Sequence, residues 1–178
     1  MTIKVMADSG GSVTYSASEI GAAWNTFAGG SDYIISDVGD EMLVVTSTSS
    51  RTVTVKTGRA VINGRVVDVT SDTSITVPAS RSDLYLVLRV DLGQPVGSEG
   101  SITYCTSSQI KDQNLNTGTG GIHDLVLGQF VSTSTGISTW NDQRNITSVS
   151  GGARFRIIKD QNGNTLATPI IFEIVGVV

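Results

Sequence analysis

One histidine, His123, and one cysteine, Cys105, are all that the 178 residues offer of the most versatile bases, nucleophiles and metal ligands. A lone cysteine cannot close an intrachain disulfide, so the fold does not lean on one. We read Cys105 as a half-buried strand residue. A structural zinc centre needs four nitrogen or sulfur ligands, and this set cannot supply them within one chain. Charge is scarce as well: 16% of residues are Asp, Glu, Lys or Arg, against about 25% in ordinary soluble domains. The net charge is −4, and Arg51, Lys56 and Arg59 are spread along apparent strands rather than clustered. That pattern offers no footprint for a nucleic-acid backbone. Aromatics make up 6%, too few for an extended sugar-stacking platform. No run approaches the roughly 18 apolar residues of a membrane span. No apolar core follows Met1-Thr2-Ile3-Lys4-Val5, so no signal peptide is expected.

Catalytic constellations are missing in the same way. His123 stands beside Asp124, but no Gly-x-Ser-x-Gly elbow accompanies them. Gly118-Thr119-Gly120-Gly121 lacks the lysine and the helix of a phosphate-binding loop. The 16 acidic residues make some carboxylate pair inevitable, so none is specific for glycoside hydrolysis. Asp37, Asp40 and Glu41 are the nearest approach to an oxygen-rich cation site, but they lack the spacing of an EF-hand and read as a solvated turn. The expectation is a protein that is not an enzyme, with no catalytic residues, no cofactor and no metal.

What is present is β-forming. Hydrophobic residues make up 39%, enough for a core, and serine, threonine, glycine and valine dominate. One segment has helical spacing. Residues 16–28 place Ile20, Ala23, Trp24 and Phe27 on one face, with Ser16 and Glu19 as a capping box and Gly29-Gly30 as the stop. Trp24 and Phe27 are expected to pack on a sheet. From Met42 onward the period falls to two. Met42–Thr46, Thr52–Lys56, Ala60–Ile62, Arg65–Val69, Ser74–Val77, Leu84–Leu92, Ser101–Cys105, His123–Val131 and Ile137–Trp140 read as strands. Asn63-Gly64 between two apolar runs predicts a type I′ hairpin. The near-continuous apolarity of 84–92 predicts a central strand.

Residues 109–121 read as a loop, and 141–152 as a linker or long connection. Beyond it, Arg154–Lys159 and Asn164–Leu166 flank a second Asn-Gly turn, and Pro169–Val178 is apolar. These readings give a mainly β fold: an antiparallel β-sandwich with one N-terminal helix over 1–145, and a linker with a short C-terminal β tail over 146–178. The tail is too short to bury a core alone. Ile170, Ile171, Phe172 and Ile174 are therefore candidate interface residues. Trp140 with Asn141 and Asp142 pairs a ring with hydrogen-bonding groups, and Tyr104 is a second exposed-ring candidate. These residues are the candidate ligand contacts, for a glycan above all.

Three stretches have a more specific look: Val-Lys-Thr-Gly-Arg-Ala-Val-Ile-Asn-Gly-Arg-Val-Val (55–67), Ile-Thr-Val-Pro (75–78) and Arg-Ser-Asp-Leu-Tyr-Leu-Val-Leu-Arg-Val-Asp (81–91). In that order, with Tyr-Ser-Ala-Ser-Glu-Ile-Gly (15–21) before and Asp-Leu-Val-Leu-Gly-Gln-Phe (124–130) after, they resemble N-terminal modules of baseplate upper and receptor-binding proteins. The proteins in question come from tailed bacteriophages of Gram-positive hosts, and the resemblance spans roughly residues 10–145. It implies a virion structural protein of the tail or baseplate, made in the host cytoplasm. Its partners would be copies of itself, as a homotrimer, and other tail or baseplate proteins, with a host-surface glycan as a further ligand. It implies no nucleic acid and no membrane insertion. Arg81 and Asp91 are expected to pin the ends of their strand by charge-assisted bonds. With no long stalk or large head before Val178, an adaptor role is expected over direct host recognition.

Overall fold

The computed structural model describes residues 17–27, 29–117, 121–147, 154–156 and 171–173. The elements follow in order. Helix α1 (Ala17–Phe27) leads into β1 (Tyr33–Gly39), β2 (Val44–Ser47), β3 (Ser50–Val55), β4 (Gly58–Ile62), β5 (Arg65–Val69), β6 (Thr73–Thr76) and β7 (Arg81–Asp91). Then come β8 (Gly100–Thr106), β9 (Ile122–Ser132), β10 (Ile137–Asp142), β11 (Ile146–Thr147), β12 (Arg154–Arg156) and β13 (Ile171–Glu173). The chain divides into two compact units, Met1–Thr147 and Ser148–Val178.

The first unit is a mainly antiparallel β-sandwich. Its sheets run β11-β1-β4-β5, β10-β9-β7-β8 and β2-β3-β6. β4 lies against β9, β2 against β10, and β6 against β8, so the sheet containing β7 and β9 faces the other two. One apolar cluster fills the space between. Ile34 and Ile62 come from one sheet, Val53 and Val55 from another, and Leu86, Leu88, Leu127 and Phe130 from the third. Each alternates with outward residues along its strand, the period-two pattern of a half-buried sheet. β7 is central, flanked by β8 and β9. The alternation breaks at Leu86, Val87 and Leu88, all buried, where the β7–β9 register shifts between Leu86 and Val87. The extra residue of this bulge falls on β9. Inward positions therefore change phase, from His123, Leu125 and Leu127 to Phe130 and Ser132.

The β4–β5 hairpin turns on Asn63 (φ 50°) and Gly64 (φ 78°), the two left-handed residues of a type I′ turn. α1 ends at Gly29 and Gly30, whose amides close back on the carbonyls of Thr26 and Asn25. Its proposed cap, Ser16, lies outside the described residues. Two strands were not legible in the pattern. The sequence pattern marks only a turn, Asp37–Glu41, in the region of β1, and β11 lies inside the stretch that it presents as a linker. The two pair in parallel, with Ile34 opposite Ile146 and Ile35 opposite Thr147.

The helix also departs from expectation. Trp24 is 61% exposed and Ile20 44%, so both side chains lie largely in solvent and outside the core; the side chain of Phe27 lies outside the described residues. α1 meets the sandwich through Gly21 and Asn25 instead. A Cβ on Gly64 would lie 2.7 Å from the Asn25 amide and would overlap the Gly21 carbonyl. A close backbone approach at a glycine replaces an apolar interface.

In the second unit β12 and β13 pair antiparallel, Phe155 opposite Phe172 and Arg156 opposite Ile171. The second Asn-Gly turn, Ile170 and Ile174 lie outside the described residues. Among the described residues no helix is long and apolar enough to cross a membrane.

Candidate functional site

The densest polar cluster surrounds the sole histidine. His123 shares the inward face of β9 with Leu125 and Leu127, but it sits at the end of the sandwich, where the core gives way to loops. It is 5% exposed. Its Nε2 lies 2.5 Å from Asp32 Oδ2, and its Nδ1 lies 3.0 Å from the Gln113 carbonyl and 3.5 Å from Asp112 Oδ1. Both ring nitrogens thus face acceptors. A neutral imidazole carries one N–H and would set a lone pair against oxygen on one side; only the imidazolium donates on both.

Asp32 is shared further. Its Oδ1 accepts the Asn63 amide at 2.7 Å, and its carbonyl accepts Asn145 Nδ2 at 2.7 Å. Asn63 continues the chain of bonds, its Oδ1 accepting the Leu115 amide at 3.1 Å and Asn116 Nδ2 at 2.9 Å. Arg65 Nη2 donates to the Leu115 carbonyl at 2.8 Å. The start of β1, the β4–β5 turn, the 112–117 loop, β9 and the approach to β11 are therefore tied at one hub. At its border with α1, Asn25 Oδ1, Arg65 Nε and Asn116 Oδ1 are buried with no hydrogen-bond partner among the described residues.

The electrostatics follow the geometry. The bond to Asp32 holds the His123 pKa above its ordinary 6.5 against the opposing pull of burial, and the Gln113 carbonyl adds to it. Burial pushes Asp32 upward, but the bonds from His123 and the Asn63 amide outweigh it, and its pKa falls below 3.8. The pair is an ion pair across the mildly acidic range.

Asp124, the neighbour that suggested a triad partner, faces the other side of the sheet. Its side chain is fully buried and accepts Arg89 Nε at 2.7 Å, Arg89 Nη2 at 2.8 Å and the Lys111 amide at 2.9 Å. The bidentate fork and the backbone bond satisfy the buried carboxylate. Cys105 is buried, and burial with the nearby Asp124 raises its thiol pKa. That environment disfavours the thiolate a nucleophile needs. Among the described residues no three His, Cys, Asp or Glu side chains are grouped to hold a metal ion. Around Asp37, the Glu41 carboxylate accepts the Asp37 amide at 2.9 Å, and Asp40 accepts Thr57 Oγ1.

The candidate ligand residues are dispersed. Trp140 lies on β10 and packs against the core cluster. Its ring crosses Gly128 on β9, where a Cβ would stand 2.5 Å from the indole. Asp142 is gripped by Arg144 Nη2 at 2.6 Å, which lowers its pKa, and Arg144 Nη1 also holds the Glu41 carbonyl at 2.9 Å. Asn141 is exposed on the opposite face of β10. Tyr104, 39% exposed, is on β8 at the far edge of the same sheet. With β9 and β7 between them, the β8 and β10 edges stand about 14 Å apart. Ile171 and Phe172 form β13. Arg81 and Asp91 make charge-assisted bonds at the two ends of β7: Arg81 forks onto Asp83, and Asp91 accepts the Gly93 amide and Gln94 Nε2 in the following turn.

The hub could not be found by spacing, because Asp32, Asn63, Asn116 and His123 lie far apart in the chain. The available signal was the lone histidine on an inward strand position. No protein-family model and no curated protein sequence matches this chain.

Proposed function

We propose that the protein is a structural component of a bacteriophage tail or baseplate, a self-associating adaptor that joins the tail to host-binding modules. The observation that carries this reading is where the resembling stretches fall. Residues 55–67, 75–78 and 81–91 run from the end of β3 through β7, and 124–130 lie in β9 beside β7. The similarity therefore follows one continuous framework rather than a set of scattered turns. A second observation supports it. The side chains best suited to chemistry, His123, Asp32, Asp124 and Arg89, hold loops and strands to one another.

Light scattering on the purified full chain, with cross-linking, tests the assembly; a trimer is the expected result. Mass spectrometry of phage particles purified from cells that carry the gene tests the location. A strict monomer that never copurifies with particles overturns the proposal. A glycan array with wild type and Trp140→Ala separates it from a carbohydrate-binding module: binding that disappears in the variant would favour that module instead.

A further inference from the structure

We propose that His123 is a pH-operated latch that fastens the 113–117 loop to the sandwich in its charged form and releases it when neutral. The argument rests on acceptors. Nε2 faces the Asp32 carboxylate, and Nδ1 faces the Gln113 carbonyl with the Asp112 carboxylate beyond it. Once one proton leaves, the shorter, charge-assisted bond to Asp32 retains the remaining N–H. The Nδ1 lone pair then confronts the Gln113 oxygen. The latch is one of several fastenings on this loop, and the one that titrates; Gln113 is also tied through its Oε1, which accepts the Ile122 amide at 2.8 Å. Past Gln113 its anchors are the Leu115 amide and Asn116 Nδ2 on Asn63, and Arg65 on the Leu115 carbonyl. Leu115 itself is fully buried in the core cluster, so release opens a path to the apolar interior at this end.

The charged groups around the ring are few. Asp32 precedes β1 and Asp112 belongs to the loop, whereas β7 presents Val90 opposite His123. Arg65 of β5 reaches the same loop through Leu115. Arg89, Asp124 and the Lys111 amide form a separate group on the other face of the sheet. Residues 111–113 keep their backbone bonds to β9 in either state, through Gln113 to Ile122 and Asp124 to Lys111. The moving part is therefore 114–117, with the Gln113 carbonyl turning away from the ring, and not the strand beside it. The latch depends on the fold alone and stands whether or not the protein belongs to a phage tail.

The test exploits the single histidine, which gives one unambiguous ring signal. Nitrogen-detected NMR on the full chain from pH 5 to 9 reads the titration of His123, and amide hydrogen exchange reads the loop. Both ring nitrogens should carry protons beyond pH 6.5. Opening at Leu115 and Asn116 should rise, by at most about tenfold per pH unit, as pH approaches the raised midpoint from below, then level off. Exchange at Leu86 and Leu88 in β7, corrected for intrinsic rate, should stay constant. Asp32→Asn should move the midpoint down towards 6.5 and shrink the pH response of the loop. A midpoint at or below 6.5 in the wild type, loop exchange that ignores the titration, or loosening of β7 in step with the loop would each overturn the proposal.

Discussion

Asp124 and Asp68 are both salt-bridged aspartates on strands, yet their surroundings give them different weight. The Asp124 side chain is fully buried, with Arg89 at 24% exposure as its partner. Asp124→Ala would strand that guanidinium in a poorly hydrated place and free the Lys111 amide. A loss of about 3 kcal/mol of stability is expected, measured by urea unfolding. Asp68 and Arg59 stand in solvent, where water and salt screen the pair. Asp68→Ala should leave the melting temperature within error. The Asp32–His123 pair adds a pH signature. His123 holds its proton above 6.5 when folded, so its contribution is complete below 6.5 and fades as pH rises through the raised value. Asp32 contributes above 3.8 and fades as pH falls through its depressed value. The pair therefore stabilises most between pH 3.8 and 6.5. Thermal melts of His123→Asn should lack the decline that the wild type shows as pH rises above 6.5.

Elements that announce themselves locally were readable, and those that depend on distant partners were not. The β4–β5 hairpin needs positive φ at Asn63 and Gly64, and that pair of residues states the requirement in the sequence. β7 is flanked on both sides, and its near-continuous apolar run, broken by Arg89, says so. β1 buries only Ile34 fully, and Asp37 (φ 61°) interrupts it, so no clean alternation exists to be seen. β11 is two exposed residues whose strand character comes wholly from β1. The helix was recognised, but its docking was misjudged, because a 3.6-residue period reveals an apolar face and not what lies opposite. The actual joint is steric. Gly64→Ala would place a methyl against the Gly21 carbonyl at φ 78°, costing about 1–2 kcal/mol in backbone strain alone. The expected result is a detached α1, seen as lost helical circular dichroism with β signal retained. Gly128→Ala would collide with the Trp140 ring and should shift indole emission through displacement of β10.

At the scale of the sandwich, one core receives side chains from all three sheets. The sheets should therefore lose structure together. Ile34→Ala in one sheet and Leu86→Ala in another should each lower stability by about 2–5 kcal/mol within a single unfolding transition. Separate transitions for the two variants would contradict a common core. The hub around His123 belongs to this scale as well. Its members come from loops at one end of the fold, and no segment of sequence contains enough of it to be recognised.

The parallel pairing of β1 with β11 also sets a schedule. Ile34 donates its amide to the Asn145 carbonyl, and Asn145 Nδ2 reaches the Asp32 carbonyl, so the first strand finds its outer neighbour only near the close of the domain. During translation β1 can receive β4 early, while its other edge stays open for the seconds that the intervening strands require. An open β edge on a nascent chain is a place where a neighbouring copy can add its own strand. At high expression, crowding of nascent chains would favour exchanged partners over closed monomers. Slower synthesis or lower expression should raise the yield of correctly closed chains.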